Sequence, residues 1–280
     1  ILSGFDIAAN FAVTVAGAHM NIPVAHIQGG EVSGTIDESL RHGMSKFAHY
    51  HFTANNDSKK RLIKMGEISN HIFAVGCPSI DALIREKDVS RNEMLKKFNI
   101  DINKKYLLII QHPVTTEIDM SNRQIRETIL AIKKFKCQKI MLFPNNDAGA
   151  SQIIREILKN NILHAKTLDL KEYKTLLKNC SALVGNSSSG IHEALTFKVP
   201  VVNIGSRQNG RLKPRNIINV KNNKNFIYTA IYKCLNDKKF LKKEKKLANP
   251  YGNGTASAKI VKLIKKIDWS KKIIQKKIKY

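Results

Sequence analysis

The serine-rich segment Gly185-Asn186-Ser187-Ser188-Ser189-Gly190 has the composition of an anion-binding loop. It follows the apolar run SALV and precedes the helical pattern IHEALTF. Small residues leave backbone N–H groups accessible, and a helix N-terminus adds partial positive charge, so a phosphate group fits this position. A helix cap needs a single serine, whereas three serines stand here between two glycines. We therefore predict that Ser187 and Ser188 bind phosphate.

Other polar residues follow neighbouring apolar runs that are typical of strands. Glu193 lies three residues past Gly190, where its carboxylate could accept two ribose hydroxyls or simply complement the helix dipole. Arg207 stands in SRQNGR after VPVVNIG, and a guanidinium beside an anion site suits pyrophosphate. His112 follows YLLII, and Asp147 in FPNNDAG either contacts a nucleotide or caps the next helix. These residues predict a nucleotide site at the carboxyl ends of strands.

The run HIQGGEVSGTIDESLRH, residues 26–42, is dense in polar groups. It leaves a predicted strand, crosses a glycine-rich loop and enters a predicted helix. Thr35 and Glu38 have the spacing of a capping box, which indicates a structural role for Glu38. Asp37 is then left for chemistry, with Arg41 one turn further on.

Asp6 supplies a second candidate carboxylate, just past the presumed strand end at residues 1–2. A capping pattern formed by Ser3 and Asp6 is the structural alternative. Two carboxylates at one crevice are suited to removing a proton from carbon and returning it. Asp6 and Asp37 are therefore candidate acid–base residues.

The elements that must position these residues alternate between short apolar strands and amphipathic helices. Strict alternation predicts an α/β fold of parallel sheets with helices on both faces. The predicted strands are 24–28, 52–55, 72–76, 106–111, 139–144, 182–186 and 199–205. The clearest predicted helices are 36–48, 57–65, 121–135 and 190–197.

A charged stretch at 84–103 separates two groups of strands and predicts a junction between lobes. We divide the chain into a first lobe at 1–85, a junction at 86–102, a second lobe at 103–262 and a basic tail at 263–280. The first group contains three strands, or four if residues 1–2 end another. A doubly wound sheet usually contains more, so we expect the first lobe to be incomplete at its N-terminal side.

The formal net charge of +26 raises the possibility of nucleic-acid binding. The excess consists largely of lysines on helix faces and in the last third, without interleaved aromatic residues that could stack on bases. A solvated lysine surface explains this pattern better, so we predict no nucleic-acid partner.

The four cysteines are far apart and form no CxxC pair, which indicates reduced buried thiols rather than disulfides or zinc ligands. No apolar run reaches the roughly 18 residues of a transmembrane helix, so we predict no membrane partner. We expect a cytoplasmic protein without a metal.

Five motifs in order, HIQGGEVSGTIDESLRH, GCPSIDAL, QHPVTT, GNSSSGIHEALTF and VNIGSRQNGR, resemble the hydrolysing UDP-N-acetylglucosamine 2-epimerase family. They are most similar to its branch in sialic-acid and legionaminic-acid biosynthesis. The resemblance implies two Rossmann-like lobes of the GT-B type, with the active site in the cleft between them. It also implies additional sequence upstream and assembly into dimers or tetramers.

The same resemblance implies a two-step reaction that needs no metal or redox cofactor. A base removes the proton at sugar C2 while UDP departs, leaving a 2-acetamidoglucal. Water then adds across the double bond with inversion at C2 and releases a free N-acetylmannosamine-type sugar. The substrate would be UDP-N-acetylglucosamine or a 2,4-diacetamido relative.

In the first lobe, Asp6 falls at the position of a catalytic aspartate in this family. The arginine that usually follows it is replaced by Ile7. Gln28 falls where several members have a catalytic glutamate, and an amide cannot act as a base. Either Glu31 has taken that task or Gln28 only orients the sugar. Asp37 matches another acidic catalytic position, beside the candidate substrate ligand Arg41.

In the second lobe, His112 matches a histidine near the diphosphate. Ser187 and Ser188 match serines that bind UDP, Glu193 matches a glutamate that binds ribose, and Arg207 matches a family arginine. A GT-B glycosyltransferase that uses a UDP-sugar is the principal alternative. A related epimerase that returns a UDP-linked product is a second one.

Overall fold

The computed structural model describes residues 1–4, 8–244, 246–269, 273–277 and 279. In this part of the chain the strands are β1 (Leu2–Gly4), β2 (Ala25–Ile27), β3 (Tyr50–Thr53), β4 (Ile72–Ala74), β5 (Tyr106–Ile110), β6 (Gln138–Leu142), β7 (His164–Ala165), β8 (Ala182–Gly185), β9 (Val201–Ile204) and β10 (Ile217–Val220). The helices are α1 (Ala8–His19), α2 (Asp37–Phe47), α3 (Asn56–Lys64), α4 (Pro78–Arg85), α5 (Arg91–Phe98), α6 (Ser121–Ile132), α7 (Ala150–Lys159), α8 (Leu170–Asn179), α9 (Ser189–His192), α10 (Lys224–Asn236), α11 (Lys238–Glu244) and α12 (Ala256–Ile264).

The chain divides into two compact units, each built on a parallel sheet. Unit 1 comprises Ile1–Ile84, Gly210–Leu212 and Pro250–Tyr280, and its sheet has the order β1-β2-β3-β4. Unit 2 comprises Arg85–Asn209 and Lys213–Asn249, with the order β10-β9-β8-β5-β6-β7. Every strand pair described is parallel. The predicted α/β class with parallel sheets is thus confirmed.

Strand β5 shows how helices cover both faces of the unit 2 sheet. Leu107 and Ile109 pack into one apolar cluster with residues of α6, α7 and α10. Tyr106, Leu108 and Ile110 pack into a second cluster with residues of α5 and α8. Successive side chains of a strand point to opposite faces, so the continuous apolar run YLLII is what a strand buried on both sides requires.

The C-terminal part of the chain packs onto unit 1. Ile260 of α12 joins the apolar cluster that contains Ala25, Tyr50 and Phe52 of β2 and β3. Asp81 of α4 accepts hydrogen bonds from the first N–H groups of α12, at 3.1 Å from Ala256 and 2.6 Å from Ser257. Our sequence-based division placed residues up to 262 in the second lobe, whereas the structure assigns residues 250–280 to unit 1. This long-range packing leaves no periodic signal in the sequence.

Lys276, in the predicted basic tail, is a partly buried lysine that contacts α2. Lys276 donates to the carbonyl oxygens of Ser45 at 2.7 Å, Lys46 at 3.1 Å and Ala48 at 2.7 Å, at the C-terminal end of α2. It also forms an ion pair with Glu67, whose side chain is 1% exposed. A cation at a helix C-terminus complements the helix dipole and satisfies terminal carbonyl groups.

The membrane prediction concerns helix length and composition. Within the described residues, no helix is both long enough and apolar enough to cross a lipid bilayer.

Candidate functional site

In unit 2, Asn186 connects the carboxyl ends of β5 and β8. Its side-chain oxygen accepts a hydrogen bond from the backbone N–H of His112 at 2.7 Å, and its amide nitrogen donates to the His112 carbonyl at 2.8 Å. A side-chain amide has one acceptor and two donor hydrogens, so a single asparagine satisfies both backbone groups. The contact fixes the backbone of His112 at the strand end.

The loop after β9 is held against the same asparagine. The backbone carbonyl oxygen of Asn186 accepts hydrogen bonds from the side chains of Gln208 at 2.8 Å and Arg207 at 3.3 Å. The Ser206 hydroxyl donates to Glu117 in the loop after β5. Three loops, following β5, β8 and β9, are therefore joined by side-chain contacts that bring Arg207 near His112.

The His112 ring is buried and electrically neutral. Its Nδ1 accepts a hydrogen bond from the backbone N–H of Asn145 at 3.2 Å, which leaves the proton of the neutral ring on Nε2. Burial, and to a smaller extent the positive charge of Arg207, lower the pKa of His112 to about 3. A neutral imidazole with this tautomer can donate a hydrogen bond through Nε2.

The serine-rich loop turns sharply at its first residue. Gly185 has a φ of +137°, and a Cβ at this position would lie 2.0 Å from the carbonyl oxygen of Ile110. Only glycine fits there. Further along, both the backbone N–H and the hydroxyl of Ser189 donate to the Ser187 hydroxyl, at 3.3 and 2.9 Å. Ser188, the other predicted phosphate ligand, is the N-cap residue of α9 and makes no side-chain capping bond.

The predicted helix at 190–197 is shorter and interrupted in the structure. Helix α9 (Ser189–His192) is a single turn, and a 3₁₀ turn (Ala194–Phe197) follows after a break at Glu193. A single turn aligns few peptide dipoles, so the dipole contribution expected from the sequence is correspondingly smaller. Glu193 accepts a hydrogen bond from the Tyr173 hydroxyl at 2.7 Å. Burial and the nearby Glu193 raise the pKa of Tyr173 well above its usual value, so the hydroxyl stays protonated as the donor.

Asp147 does not cap the helix that follows it. The N-cap of α7 is Gly149, with a φ of +95° and no side-chain capping bond. The capping alternative is therefore wrong, and nucleotide contact by Asp147 stays a prediction.

In unit 1, Gln28 follows β2 with its backbone in the left-handed region, at a φ of +62°. Its side-chain amide is buried and donates to the Cys77 sulfur at 3.0 Å. A non-glycine residue at positive φ costs free energy and persists where surrounding contacts hold it. The Gln28 side chain thus has a packing partner inside unit 1, and its predicted contact with the sugar stays a prediction.

Glu31 lies in the glycine-rich loop after Gln28 and is 4% exposed. Its backbone carbonyl accepts a hydrogen bond from Arg41 at 2.9 Å. Arg211 lies 3.9 Å from the Glu31 carboxylate and donates through Nε to the Val32 carbonyl at 2.9 Å. Arg41, which we predicted to bind substrate, is thus bound to the loop that carries Glu31.

Asp37 is the first residue of α2 and is partly exposed. The predicted capping box between Thr35 and Glu38 is wrong, because both side chains bond to other partners. The Thr35 hydroxyl donates to Asp37 at 2.8 Å, and the Glu38 carboxylate accepts from the Ser33 N–H at 2.7 Å. Acidic residues at a helix N-terminus bond to whichever free donors the preceding loop presents. Asp6, the remaining predicted catalytic residue, lies outside the described residues.

The sequence analysis assigned no individual role to three residues near these positions: Asn186, Gln208 and Tyr173. The signal for Asn186 was its position between a strand and the serines, where its side chain can bond to a neighbouring strand end. Gln208 adjoins Arg207 in the same motif and offered a similar signal. Tyr173 comes from α8, and no local pattern links it to Glu193.

The profile of the UDP-N-acetylglucosamine 2-epimerase family matches residues 4–265 of the chain. The chain is 40% identical over 270 residues to a hydrolysing UDP-N,N'-diacetylbacillosamine 2-epimerase of Legionella pneumophila, covering 95% of this chain and 70% of that protein. It is 33% identical to a UDP-N-acetylglucosamine 2-epimerase of Neisseria meningitidis, covering 82% of this chain and 61% of the relative. A GDP/UDP-N,N'-diacetylbacillosamine 2-epimerase of Campylobacter jejuni is 34% identical, covering 71% of this chain and 54% of the relative.

Solved structures share the fold. The S. aureus MnaA-UDP co-structure superposes with a TM-score of 0.80 at 21% identity, over 95% of this chain and 73% of that one. The Neisseria meningitidis UDP-GlcNAc 2-epimerase bound to UDP-GlcNAc gives a TM-score of 0.79 at 21% identity, over 95% and 76%. These similarities confirm the predicted fold class.

Proposed function

Because the chain belongs to the UDP-N-acetylglucosamine 2-epimerase family, we propose that it catalyses hydrolysing epimerisation at C2 of a UDP-linked N-acetylhexosamine. The products are UDP and a free manno-configured sugar. The observation that carries the proposal is the assembly of strand-end residues in unit 2, where a neutral His112 and Arg207 are joined through Asn186.

Unit 2 binds the UDP portion in this proposal. Arg207 supplies positive charge for the diphosphate, and the serine-rich loop supplies hydroxyl and backbone N–H donors. The neutral His112 donates from Nε2 to an oxygen of the departing diphosphate. Glu193, oriented by Tyr173, accepts the ribose hydroxyls.

Unit 1 supplies the acid–base groups. A carboxylate removes the proton at C2 while the C1–O bond to UDP breaks, and a C1=C2 double bond forms. Water then adds its hydroxyl to C1, and C2 takes a proton on the opposite face. Glu31, Asp37 and Asp6 are the candidate groups, and Glu31 replaces the carboxylate that Gln28 cannot provide.

We propose UDP-N,N'-diacetylbacillosamine as the preferred substrate, because the Legionella pneumophila relative is described as acting on it. UDP-N-acetylglucosamine is the alternative, as described for the Neisseria meningitidis relative. We place the reaction in the cytoplasm, and assembly into a dimer or tetramer stays a prediction.

Proton NMR of the reaction in D₂O tests the proposal. The protein is incubated separately with UDP-N,N'-diacetylbacillosamine and with UDP-N-acetylglucosamine. We expect the first to be consumed faster, with release of UDP and a free manno-configured sugar that carries deuterium at C2. A UDP-linked product would identify a non-hydrolysing epimerase. If UDP binds but neither substrate is consumed, the proposal is wrong and the glycosyltransferase alternative takes its place.

A further inference from the structure

Three arginines bind three successive carbonyl oxygens of one loop in unit 1. We name residues 29–32 the Glu31 loop, and the three arginines the arginine clamp. The contacts are Arg61 Nη1 to Gly30 at 2.5 Å, Arg41 Nη1 to Glu31 at 2.9 Å, and Arg211 Nε to Val32 at 2.9 Å.

The clamp draws on three separate parts of the sequence. Arg41 belongs to α2, Arg61 to α3 and Arg211 to the segment Gly210–Leu212. A hydrogen bond from a charged donor is roughly twice as strong as a neutral one. Three such bonds on consecutive carbonyls therefore restrain the loop backbone from three directions.

The Glu31 loop needs this restraint because its own sequence is permissive. It begins with two glycines, which tolerate backbone conformations that other residues avoid. Gly30 has a φ of +76°, and a Cβ there would lie 2.4 Å from the Ser58 carbonyl oxygen. The loop backbone therefore packs directly against α3. Side chains from outside the loop must then hold it in place.

We propose that Arg61 is a positioning residue for Glu31: it fixes the preceding carbonyl and thereby sets the direction of the Glu31 carboxylate. Arg211 holds the other side of the loop and lies 3.9 Å from the carboxylate itself. The inference rests on the proposed function, because it assumes that Glu31 acts on the sugar. A misplacement of about 1 Å at a reacting group can cost on the order of 10²-fold in rate.

The test compares Arg61→Ala with Lys60→Ala, an exposed neighbour on α3. Amide hydrogen exchange is measured on peptides that cover residues 28–35, together with kcat and KM for the UDP-sugar. For Arg61→Ala we expect faster exchange in the loop, a fall in kcat of about 10- to 100-fold and a nearly unchanged KM. Millimolar guanidinium should restore part of the lost kcat, and Lys60→Ala should match the wild type.

Each contrary outcome has a distinct meaning. If Arg61→Ala matches Lys60→Ala in both exchange and kcat, the positioning role is wrong. A raised KM with unchanged kcat would make Arg61 a substrate ligand instead and also overturn the proposal. If Arg61→Ala does not fold, Arg61→Gln keeps a donor for Gly30, and an intermediate exchange rate is expected. If the wild type is inactive but amide hydrogens in the loop exchange faster in Arg61→Ala than in the wild type, the proposed function is wrong, whereas the restraint of the loop by the arginine clamp is confirmed.

Discussion

His112 illustrates how burial sets the chemistry open to a single side chain. Its pKa is lowered to about 3, first by burial and then by the charge of Arg207. The ring is therefore neutral across the pH range in which enzymes are ordinarily assayed, and it can act as a hydrogen-bond donor but not as a titrating base. In the proposed mechanism, this separates the role of His112 from that of the unit 1 carboxylates.

We predict that His112 contributes no limb to the pH profile of kcat/KM between pH 5 and 8. A lowered pKa means that protonation occurs only as the pH falls towards 3, below this range. His112→Asn should lower kcat/KM by about 10²-fold at every pH without changing the shape of the profile, since it removes one preorganised donor. A limb near pH 6.5 in the wild type that disappears in His112→Asn would contradict the assignment.

The Glu31 loop shows the limit of residue-level prediction. The sequence identified Glu31 and Arg41 as candidates and placed Arg41 one helical turn from Asp37. In the structure, Arg41 donates a hydrogen bond to the Glu31 carbonyl. Spacing along a helix predicts which residues share a face, whereas a contact with a preceding loop depends on how that loop folds back.

At the scale of elements, Asn186 couples two neighbouring strand ends. It makes two hydrogen bonds to the backbone of His112, and both are buried. Replacing the amide with a carboxylate keeps the acceptor but removes the donor for the His112 carbonyl.

We therefore predict that Asn186→Asp destabilises the protein by about 1–3 kcal/mol, the usual cost of an unsatisfied buried polar group. It should also lower the affinity for UDP, because the Asn186 side chain fixes the backbone of His112 at the strand end. Urea unfolding and calorimetric titration with UDP measure the two effects. Asn209→Asp, an exposed change in the following loop, is the control. Equal free energies of unfolding and equal UDP affinities in the two variants would show that the contacts between the Asn186 side chain and His112 have no energetic role.

The strand cores were predictable because parallel strands buried on both faces have continuous apolar runs. The β5 run YLLII and the β8 run ALVG both follow this rule. The break between α9 and the following 3₁₀ turn was not predictable. The apolar pattern of IHEALTF fits a continuous helix, and Tyr173, which donates a hydrogen bond to Glu193 at the break, comes from α8.

At the scale of the whole molecule, the cluster around Glu67 makes unit 1 sensitive to acid. Glu67 accepts a hydrogen bond from His51 at 3.1 Å and forms ion pairs with Lys46 at 3.0 Å and with Lys276. Burial alone would raise the pKa of Glu67, but the hydrogen bonds from His51 and Lys276 outweigh it and lower the pKa to about 2. Burial lowers the pKa of His51, so this ring is the neutral donor.

The sign of the resulting pH dependence follows from linkage. A carboxyl group whose pKa is lower in the folded state stabilises the protein above its unfolded pKa near 4.5. That contribution is lost as the pH falls through about 2. We predict that wild-type stability declines over this interval and that Glu67→Gln flattens the decline, as measured by thermal unfolding between pH 2 and 6. Asp119→Asn, at an exposed position, is the control. Parallel curves for wild type and Glu67→Gln would contradict the prediction.

The division of the chain was only partly readable from the sequence. The alternation of strands and helices predicted two groups of elements, but residues 250–280 belong with unit 1 although they follow unit 2. The Asp81 contacts with α12 and the Lys276 contacts with α2 join residues far apart along the chain. A single sequence carries no record of such pairs.

The return of the chain to unit 1 also orders events during protein synthesis. Strands β2 and β3 leave the ribosome before any of unit 2, whereas α12, which covers their apolar residues, leaves after it. While unit 2 is being translated, the side chains of Ala25, Tyr50 and Phe52 have no α12 to pack against. Nascent unit 1 therefore exposes an apolar sheet face for that whole interval, which is a binding surface for chaperones and a hazard for aggregation. Synonymous codons that slow translation between residues 213 and 249 would prolong the exposure without changing a single amino acid.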